Sequence, residues 1–361
     1  MDIVLRSRAW SAVETSRPTD GPVPVAPADR PKGLWIDPVR FLELIDGWAL
    51  AAWACTQAVL WRSRLHPTLP SGRHPGGAPQ TYRDETILLT LLVLRAWRLS
   101  LEKMAAWLTR YDALAVALGM QPGHTISAAQ LSRRSRHLGL WPYFFLFVGL
   151  VGWLVRRGVI TGRQVVLDAS LLKAWYHADP DAVWARRRGT TPTFGFKIHS
   201  VVDRGTHLPL LFVLTPATVS EVVVAPFLLL MTILLYGVEI AVVYADGGYF
   251  SIAFVAFVRA LGAIPIVDYN LRRHGKRFLA TLFFLDQWQR MRAPRSAIER
   301  YFAFLKRYYG LKFFQVQGRA AVWQYALLIH AAMLAVAVVA DRSGRPDLMT
   351  SRAHVLAFVT N

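Results

Sequence analysis

The stretch RQVVLDASLL, residues 163–172, is a run of mostly aliphatic and β-branched residues that contains one acid, Asp168. A short apolar run of this kind predicts a buried strand. A carboxylate inside such a strand costs several kcal/mol unless hydrogen bonds, a cation or a metal ion compensate for the lost hydration. Asp168 is therefore the first candidate functional residue.

Two further acids stand in comparable positions. Asp246 follows the apolar run VEIAVVYA and precedes Gly247-Gly248, and Glu299 lies in the predicted helix RSAIERYFAFLKRYYG. Carboxylates drawn from separate elements are the ligands that a hard divalent cation such as Mg²⁺ takes. Each acid also has a plainer interpretation, because an aspartate before glycine at a strand end is a common turn. The three acids together predict a metal site.

The charge balance indicates the partner. The chain has 42 Lys and Arg against 23 Asp and Glu, a formal net charge of +19. Because neutralised phosphates release counterions, a surplus of this size predicts nucleic acid as the partner. The one cysteine, Cys55, excludes an intramolecular disulfide and a cysteine-rich zinc site. A reducing, cytoplasmic and nucleoid-associated location is expected.

High hydropathy raises a membrane alternative. Mean hydropathy is +0.30, and residues 225–245 carry a single charge, Glu239, over a length that could span a bilayer. The segment changes from Leu-rich to β-branched at Gly237. A buried helix followed by a buried strand gives the same hydropathy. We therefore expect no membrane partner, and a polytopic membrane protein is the less favoured alternative.

Composition predicts four regions. Residues 1–33 are a Pro-rich tail with too little apolar surface to fold. Residues 34–140 are predicted as a helical DNA-binding or assembly region, with a flexible linker at 66–80 where proline and glycine recur. Residues 141–345 form the predicted catalytic domain, in which strands come first and then alternate with helices, the pattern of an α/β fold. Residues 346–361 are expected to be a C-terminal tail.

Two basic clusters are candidate DNA contacts. A short helix with Ser127 at its N-cap is predicted to project Arg133, Arg134 and Arg136 outward, toward a groove or phosphates. A solvated basic helix is the plainer alternative. The second cluster precedes the predicted helix of Glu299 and contains Arg272, Arg273, His274, Lys276 and Arg277.

Helical geometry groups the residues around Glu299. At about 100° per residue, Arg295, Glu299 and Lys306 share one stripe, with Arg292 beside it. The opposite face is apolar and is predicted to pack: Ala297, Ile298, Tyr301, Phe304, Leu305 and Tyr308. An ordinary surface ion pair explains Arg295 with Glu299. It does not explain Lys306 on the same stripe.

Other polar residues are predicted to be structural. Lys197 and His199 lie two apart on a predicted strand and so face one side. A partly buried pair is favoured over a phosphate or general-acid role. The acids expected to close turns are Asp179, Asp181 and Asp203.

Taken together, the three acidic blocks resemble the DDE transposases of bacterial insertion sequences, in the branch recognised by a Tyr-x2-Arg-x3-Glu-x6-Lys signature. This chain reads Arg292-x2-Arg295-x3-Glu299-x6-Lys306, so three of four positions match and Arg292 occupies the Tyr position. The resemblance extends over about residues 82–340 and includes VVLDASLLKAW, FGFKIHSVVD and YADGGYF.

The resemblance implies a ribonuclease-H-like α/β fold, a mixed sheet flanked by helices, with an N-terminal helical domain. It implies metal-dependent cleavage at transposon ends and strand transfer to target DNA, catalysed by Asp168, Asp246 and Glu299 with two Mg²⁺ or Mn²⁺ ions. Arg295, Lys306 and Arg292 would contact phosphates. The implied partners are double-stranded DNA, both ends and target, and a second copy of the chain in a homodimer. A decayed or repurposed copy that only binds DNA is the alternative.

Overall fold

The structure is a computed structural model that describes residues 33–65, 82–186, 191–267 and 296–357, except Phe313. These residues divide into two compact units. The sheet unit comprises the described part of Val151–Phe304, and the helical unit comprises that of Gly33–Leu150 with Leu305–Asn361. Residues 305–345, which we assigned to the catalytic domain from sequence, thus group with the N-terminal helices.

The sheet unit is built on a six-stranded mixed sheet in the order β2-β3-β1-β5-β6, with β4 also paired to β3. Neighbours of β3 run antiparallel to it, whereas β5 runs parallel to both β1 and β6. The strands are β1 Gln164–Lys173, β2 Val183–Ala185, β3 Thr193–Asp203, β4 Pro209–Pro216, β5 Val242–Ala245 and β6 Ile264–Val267. The predicted ribonuclease-H-like class is confirmed, and the three-residue β2 is an addition that the sequence did not predict.

Helices account for most of the remaining described residues. In chain order they are α1 Pro38–Leu44, α2 Gly47–Leu65, α3 Asp84–Trp97, α4 Leu101–Arg110, α5 Asp112–Ala117, α6 Ala128–His137, α7 Trp141–Arg156, α8 Glu221–Tyr236, α9 Ile252–Ala260, α10 Ser296–Tyr308, α11 Arg319–Arg342 and α12 Arg352–Val355.

Side-chain caps begin helices α1 and α6, and the cap at Ser127 is the one that the sequence predicted. Asp37 accepts from the amides of Val39 and Arg40 at the start of α1, and Ser127 forms a capping box with Gln130 at the start of α6. Residues 38–65 do not form one helix, because the helix is interrupted at Asp46, whose φ is 51°. A left-handed residue cannot continue an α-helix, so α1 and α2 are separate.

The helical unit is centred on α11, which is buried from Ala326 to Ala340 and packs on α3. The backbone of Leu356 pairs in parallel with Ile36, and Ala357 N donates to Ile36 O at 2.9 Å. Residues 346–357 therefore fold back into this unit rather than extending as a tail.

Few of the described helices are long and apolar enough to cross a membrane. In the part of the chain that the structure describes, α11 alone is long and apolar enough by itself to cross a membrane, and 83% of its most apolar window is buried inside the protein. The helix pair α6 and α7 passes only if it is counted as one span bent by 84°. The apolar segment 225–245 does not form one helix, because α8 ends at Gly237, which has a φ of 65°, and β5 follows. The predicted change of structure at Gly237 is confirmed.

Candidate active site

The sheet places Asp168 and Asp246 side by side. In the parallel pairing of β1 with β5, Leu167 lies opposite Ala245, and Asp246 continues β5 with an extended backbone. The two acids therefore each follow directly after this last paired position, where the backbones of neighbouring strands are about 4.8 Å apart. Extension of this register by one residue puts both acids on the same side of the sheet, and each side chain is half-buried. We call this side the acid face.

Each carboxylate is held by an adjacent backbone amide. Asp168 Oδ1 accepts from Ala169 N at 2.7 Å. Asp246 Oδ1 accepts from Gly248 N at 2.8 Å and caps the 3-10 turn Gly247–Tyr249. A Cβ at position 248 would lie 2.9 Å from Asp246 Oδ1, so this approach requires glycine.

The pairing of the two strands is reinforced by polar side chains on the acid face. Tyr244 donates its hydroxyl hydrogen to Gln164 Oε1 at 3.4 Å. Arg204 donates to the same Gln164 oxygen and to the Tyr244 hydroxyl, and its guanidinium lies 5.3 Å from the centre of the Tyr244 ring. These contacts join β1 to β5 four residues before Asp168.

A second contact fixes the helix of Glu299 to the same face. Ser200 pairs with Asp168 across β3 and β1, and its hydroxyl lies 3.1 Å from the hydroxyl of Tyr301. Both side chains are buried, and burial raises the pKa of Tyr301, which keeps the phenol protonated. Sequence alone did not single out Ser200, because only the strand pairing shows that it lies beside Asp168.

Glu299 itself points elsewhere. Its side chain is exposed, and it precedes Tyr301 by two residues, about 200° around the helix. Among the described residues no three His, Cys, Asp or Glu side chains form a group that could hold one metal ion. The structure therefore brings together Asp168 and Asp246 but does not place Glu299 with them.

The packed side of α10 agrees largely with prediction. Ile298, Tyr301 and Leu305 are buried. Tyr308 is the correction: it is exposed, with the Arg307 guanidinium 5.4 Å from the centre of its ring. Lys306, seven residues after Glu299, is half-buried.

Lys197 and His199 lie on the opposite face of the sheet, because residues alternate along β3. Lys197 Nζ donates to Val219 O at 2.8 Å and to Glu221 Oε1 at 2.9 Å. His199 Nε2 lies 2.9 Å from Thr215 Oγ1, and burial, followed by the charge of Lys197, lowers the pKa of His199 to about 4. The prediction of a buried pair is confirmed. We call this side the ion-pair face.

The basic residues predicted to contact DNA differ in their exposure. Arg133 and Arg136 are exposed on α6. Arg134 is the correction: it donates to Asp84 Oδ1 at 2.6 Å and to Tyr82 O at 3.1 Å, and only 17% of its side chain is exposed. It ties α6 to α3 instead of projecting outward. The candidates that lie outside the described residues are Arg272, Arg273, Lys276, Arg292 and Arg295.

The acid face fits a divalent cation. Mg²⁺ is usually bound by one or two protein carboxylates, with substrate phosphates and waters completing the shell. Asp168 and Asp246 supply two such carboxylates on one face.

Comparison with known proteins gives the family. Residues 161–335 match the family model described as "Transposase DDE domain", which covers the whole sheet and most of α11. No curated protein matches the chain at a significant level.

Solved structures give only weak likenesses. The piggyBac transposase synaptic complex with hairpin DNA is 12% identical with a TM-score of 0.44, over 90% of this chain and 82% of that one. The Mos1 mariner paired-end complex with Mn is 12% identical with a TM-score of 0.22, over 84% and 96%. The assignment below therefore rests on the family match and on the sheet. Residues 161–335, 175 of the 361 residues of the chain, thus form a transposase DDE domain, the type of domain with which transposases cleave DNA and transfer its strands.

Proposed function

We propose that this DNA transposase acts at the ends of an insertion sequence, cutting there and joining the ends to target DNA. Asp168, Asp246 and Glu299 would be its catalytic residues and the ligands of two Mg²⁺ or Mn²⁺ ions. The observation that carries the proposal is the pairing of β1 with β5, which sets two carboxylates side by side inside a transposase DDE domain.

The chain's own residues would position the reacting groups. Asp168 lies in a central strand paired on both sides, so its backbone is held firmly, which would suit a residue that holds a metal ion. Asp246 ends a strand of the parallel part of the sheet, where open α/β sheets collect active-site residues. When bound, divalent ions lower the pKa of water and stabilise the attacking and leaving oxygens of an in-line displacement.

Glu299 would complete the ligand set. Its helix is anchored on the acid face through Tyr301 and Ser200, which supports the assignment, although its side chain is exposed and apart from the two aspartates. In this proposal the third carboxylate joins the site when metal and DNA are bound.

Double-stranded DNA is the proposed partner. The net charge of +19 supports it. Arg133 and Arg136 are exposed and available for phosphates. Lys306 follows Glu299 on the same helix. The remaining proposed phosphate contacts are Arg272, Arg273, Lys276, Arg292 and Arg295.

The wider organisation is also proposed. Residues 34–140 would serve DNA binding or assembly, and the catalytic domain would start near residue 141. Joining two ends requires at least two copies, so the working complex would be a homodimer, without a membrane partner and located at the nucleoid.

The test is cleavage of DNA that carries the inverted repeats flanking the reading frame. Purified full-length protein is incubated with this DNA and Mg²⁺ or Mn²⁺, beside Asp168→Asn, Asp246→Asn and, as a matched control, exposed Glu239→Gln. We expect the wild type and Glu239→Gln to cleave and the aspartate variants to bind DNA without cleaving. Equal cleavage by all four would sink the catalytic assignment. DNA binding without cleavage by the wild type would favour the repurposed derivative.

A further inference from the structure

Three large aromatic side chains are exposed at the edge of the sheet where β1 ends and β2 begins. Trp175 is 47% exposed, Tyr176 44% and Trp184 60%. They lie within ten consecutive residues of the chain. Clustered exposed apolar surface of this kind marks a binding site, because a lone folded chain gains nothing from leaving such rings in water.

Phe194 joins the aromatic residues that follow β1 to the one on β2. Trp184 pairs with Phe194 across β2 and β3, and the centres of the two rings are 5.3 Å apart. The ring of His177 stacks on Phe194 at 6.4 Å, with an angle of 16° between the ring planes. We call the five residues Trp175, Tyr176, His177, Trp184 and Phe194 the aromatic edge.

The turn between β1 and β2 holds the aromatic edge in place. Asp179 is 4% exposed, and its Oδ1 accepts from Asp181 N at 3.0 Å. Asp179 N donates to Tyr176 O at 3.3 Å, and Ala182 N donates to Asp179 O at 3.3 Å. Rings carried on a backbone that is already ordered lose less conformational entropy when they bind a ligand.

Cations flank the aromatic edge and indicate the chemistry of its ligand. Lys173 at the end of β1 and Arg186 after β2 are both exposed. Residues 173–188 contain four Lys or Arg against two Asp. Aromatic rings beside cations fit a nucleic acid strand, because bases stack on the rings while phosphates contact the cations. A purely apolar partner would leave these cations unused.

Stacking on these rings requires an unpaired strand. In a duplex the face of each base is covered by its neighbours in the stack, and exposing it costs unpairing and unstacking energy. A strand that is already unpaired presents its base faces without this cost. The aromatic edge therefore discriminates single-stranded from double-stranded DNA, which a cluster of cations alone does less well.

The position of the aromatic edge relates it to the two acids. Because side chains alternate along β3, Phe194 shares the acid face with Ser200, the residue that pairs with Asp168. The six residues from Phe194 to Ser200 span about 20 Å. A strand that rises about 3.4 Å per nucleotide covers this distance in about six stacked nucleotides.

We propose that the aromatic edge binds unpaired nucleotides of the DNA strand that is cut at Asp168 and Asp246, about six nucleotides from the cut. Bases stack on Trp175, Tyr176 and Trp184, and phosphates contact Lys173 and Arg186. The role in cleavage rests on the proposed function, whereas the binding itself requires neither metal ions nor catalysis.

Fluorescence anisotropy of the full-length protein without divalent ions tests the stacking. The probes are a labelled oligothymidine of about 12 nucleotides and a duplex of the same length. The wild type is compared with Trp175→Leu/Trp184→Leu, which keeps apolar side chains without rings, and with Trp175→Phe/Trp184→Phe, which keeps rings. The matched control is Trp53→Leu/Trp61→Leu on α2, where the side chains are 41% and 39% exposed.

Ring-dependent binding of the single strand is the expected result. The leucine variant should raise the Kd for oligothymidine at least about tenfold, and the phenylalanine variant should stay within about threefold of the wild type. The Kd for the duplex should change less than about twofold in every variant, and the control should bind both probes like the wild type. An unchanged Kd for oligothymidine in the leucine variant, or an equal loss with the duplex or in the control, would overturn the proposal.

Photocrosslinking tests where the strand lies. Full-length Asp168→Asn is bound to transposon-end DNA whose flanking strand is unpaired and carries 5-iododeoxyuridine at successive positions. We expect the strongest crosslink about six nucleotides from the cut, on a peptide that contains Trp175, Tyr176 or Trp184. Crosslinks confined to other peptides would contradict the assignment.

The two proposals fail separately. Cleavage of transposon ends by the wild type, together with oligothymidine binding that does not depend on the rings, would refute the aromatic edge and leave the catalytic assignment intact. Ring-dependent binding without any cleavage would support the aromatic edge and count against the catalytic assignment.

Discussion

The two faces of the sheet differ in how far their polar side chains are buried. On the ion-pair face, Lys197 is 8% exposed and His199 is fully buried, and both contact neighbouring protein groups. On the acid face, Asp168 and Asp246 stay half-exposed, next to each other. Adjacent positions of one sheet thus carry groups that stabilise the fold and groups that remain open to solvent.

This difference distinguishes charged residues that stabilise the fold from charged residues that serve the reaction. A buried charge with its partner inside the protein is a structural group. Carboxylates at half-exposed positions of a sheet can be reached by a cation from the solvent. The acid face is therefore expected to lose activity on mutation, and the ion-pair face to lose stability.

The largest expected effect is on the acid face. Asp168→Asn and Asp246→Asn should each lower the rate of DNA cleavage about a thousandfold, equal to about 4 kcal/mol, because a metal ligand is lost. The free energy of unfolding should change little, since both side chains are half-exposed and asparagine has nearly the same shape. Single-turnover cleavage and urea melts measure the two. A loss of stability with unchanged cleavage per folded molecule would show that these acids are structural.

Acid should destabilise the ion-pair face. The pKa of His199 is about 4 when folded against an ordinary 6.5, so its contribution to stability is complete above pH 6.5 and is lost as pH falls toward 4. The loss reaches about 3 kcal/mol. Buried His330, with a pKa of about 4, adds to it.

Urea melts of the wild type and His199→Gln between pH 7 and 4 measure this loss. The variant should lose about half as much stability as the wild type, since His330 remains. Identical losses would mean that His199 does not titrate in this range.

Removal of one partner of the buried ion pair should cost less. Lys197→Met leaves Glu221 without its cation, but 24% of the Glu221 side chain is exposed, which softens the penalty. We expect about 2 kcal/mol less stability and nearly unchanged cleavage per folded molecule. The matched change, Glu221→Gln, keeps the bond from Lys197 to Val219 O and should cost less. A loss of cleavage without destabilisation would place Lys197 in the catalytic machinery.

The smallest effect is expected at the contact between Ser200 and Tyr301. Ser200→Ala and Tyr301→Phe should each cost about 1 kcal/mol of stability. They should also lower cleavage about tenfold, since the contact positions the helix of Glu299. A double-mutant cycle in both assays tests the link. Additive effects on cleavage would show that this contact does not position Glu299.

Sequence predicted the local features and missed those that depend on distant pairing. The strands of Asp168 and Asp246 were visible because each is a short apolar run, and period two placed Lys197 with His199 on one face. The neighbours of these residues were not visible. Ser200 and Tyr301 are 101 residues apart, and Arg134 is held by Asp84, 50 residues earlier. Such contacts follow from the arrangement of elements, which no local pattern contains.

The position of Glu299 shows the same limit. Helical periodicity correctly predicted that α10 packs on its Ile298 and Tyr301 side, with Glu299 on the polar edge. Periodicity gives the angle around a helix and not its distance from a strand. The resemblance grouped the three acids as one site, whereas the structure groups two.

In the proposed active site, Asp168 and Asp246 bind a divalent cation together. Its most direct test is the anomalous signal of Mn²⁺ in crystals of the full-length protein with DNA carrying a transposon end. We predict a Mn²⁺ peak within coordination distance of both carboxylates, lost in Asp246→Asn. If the aspartates and the DNA are ordered but Mn²⁺ is absent from the two carboxylates, or binds only at another position, this proposal is wrong.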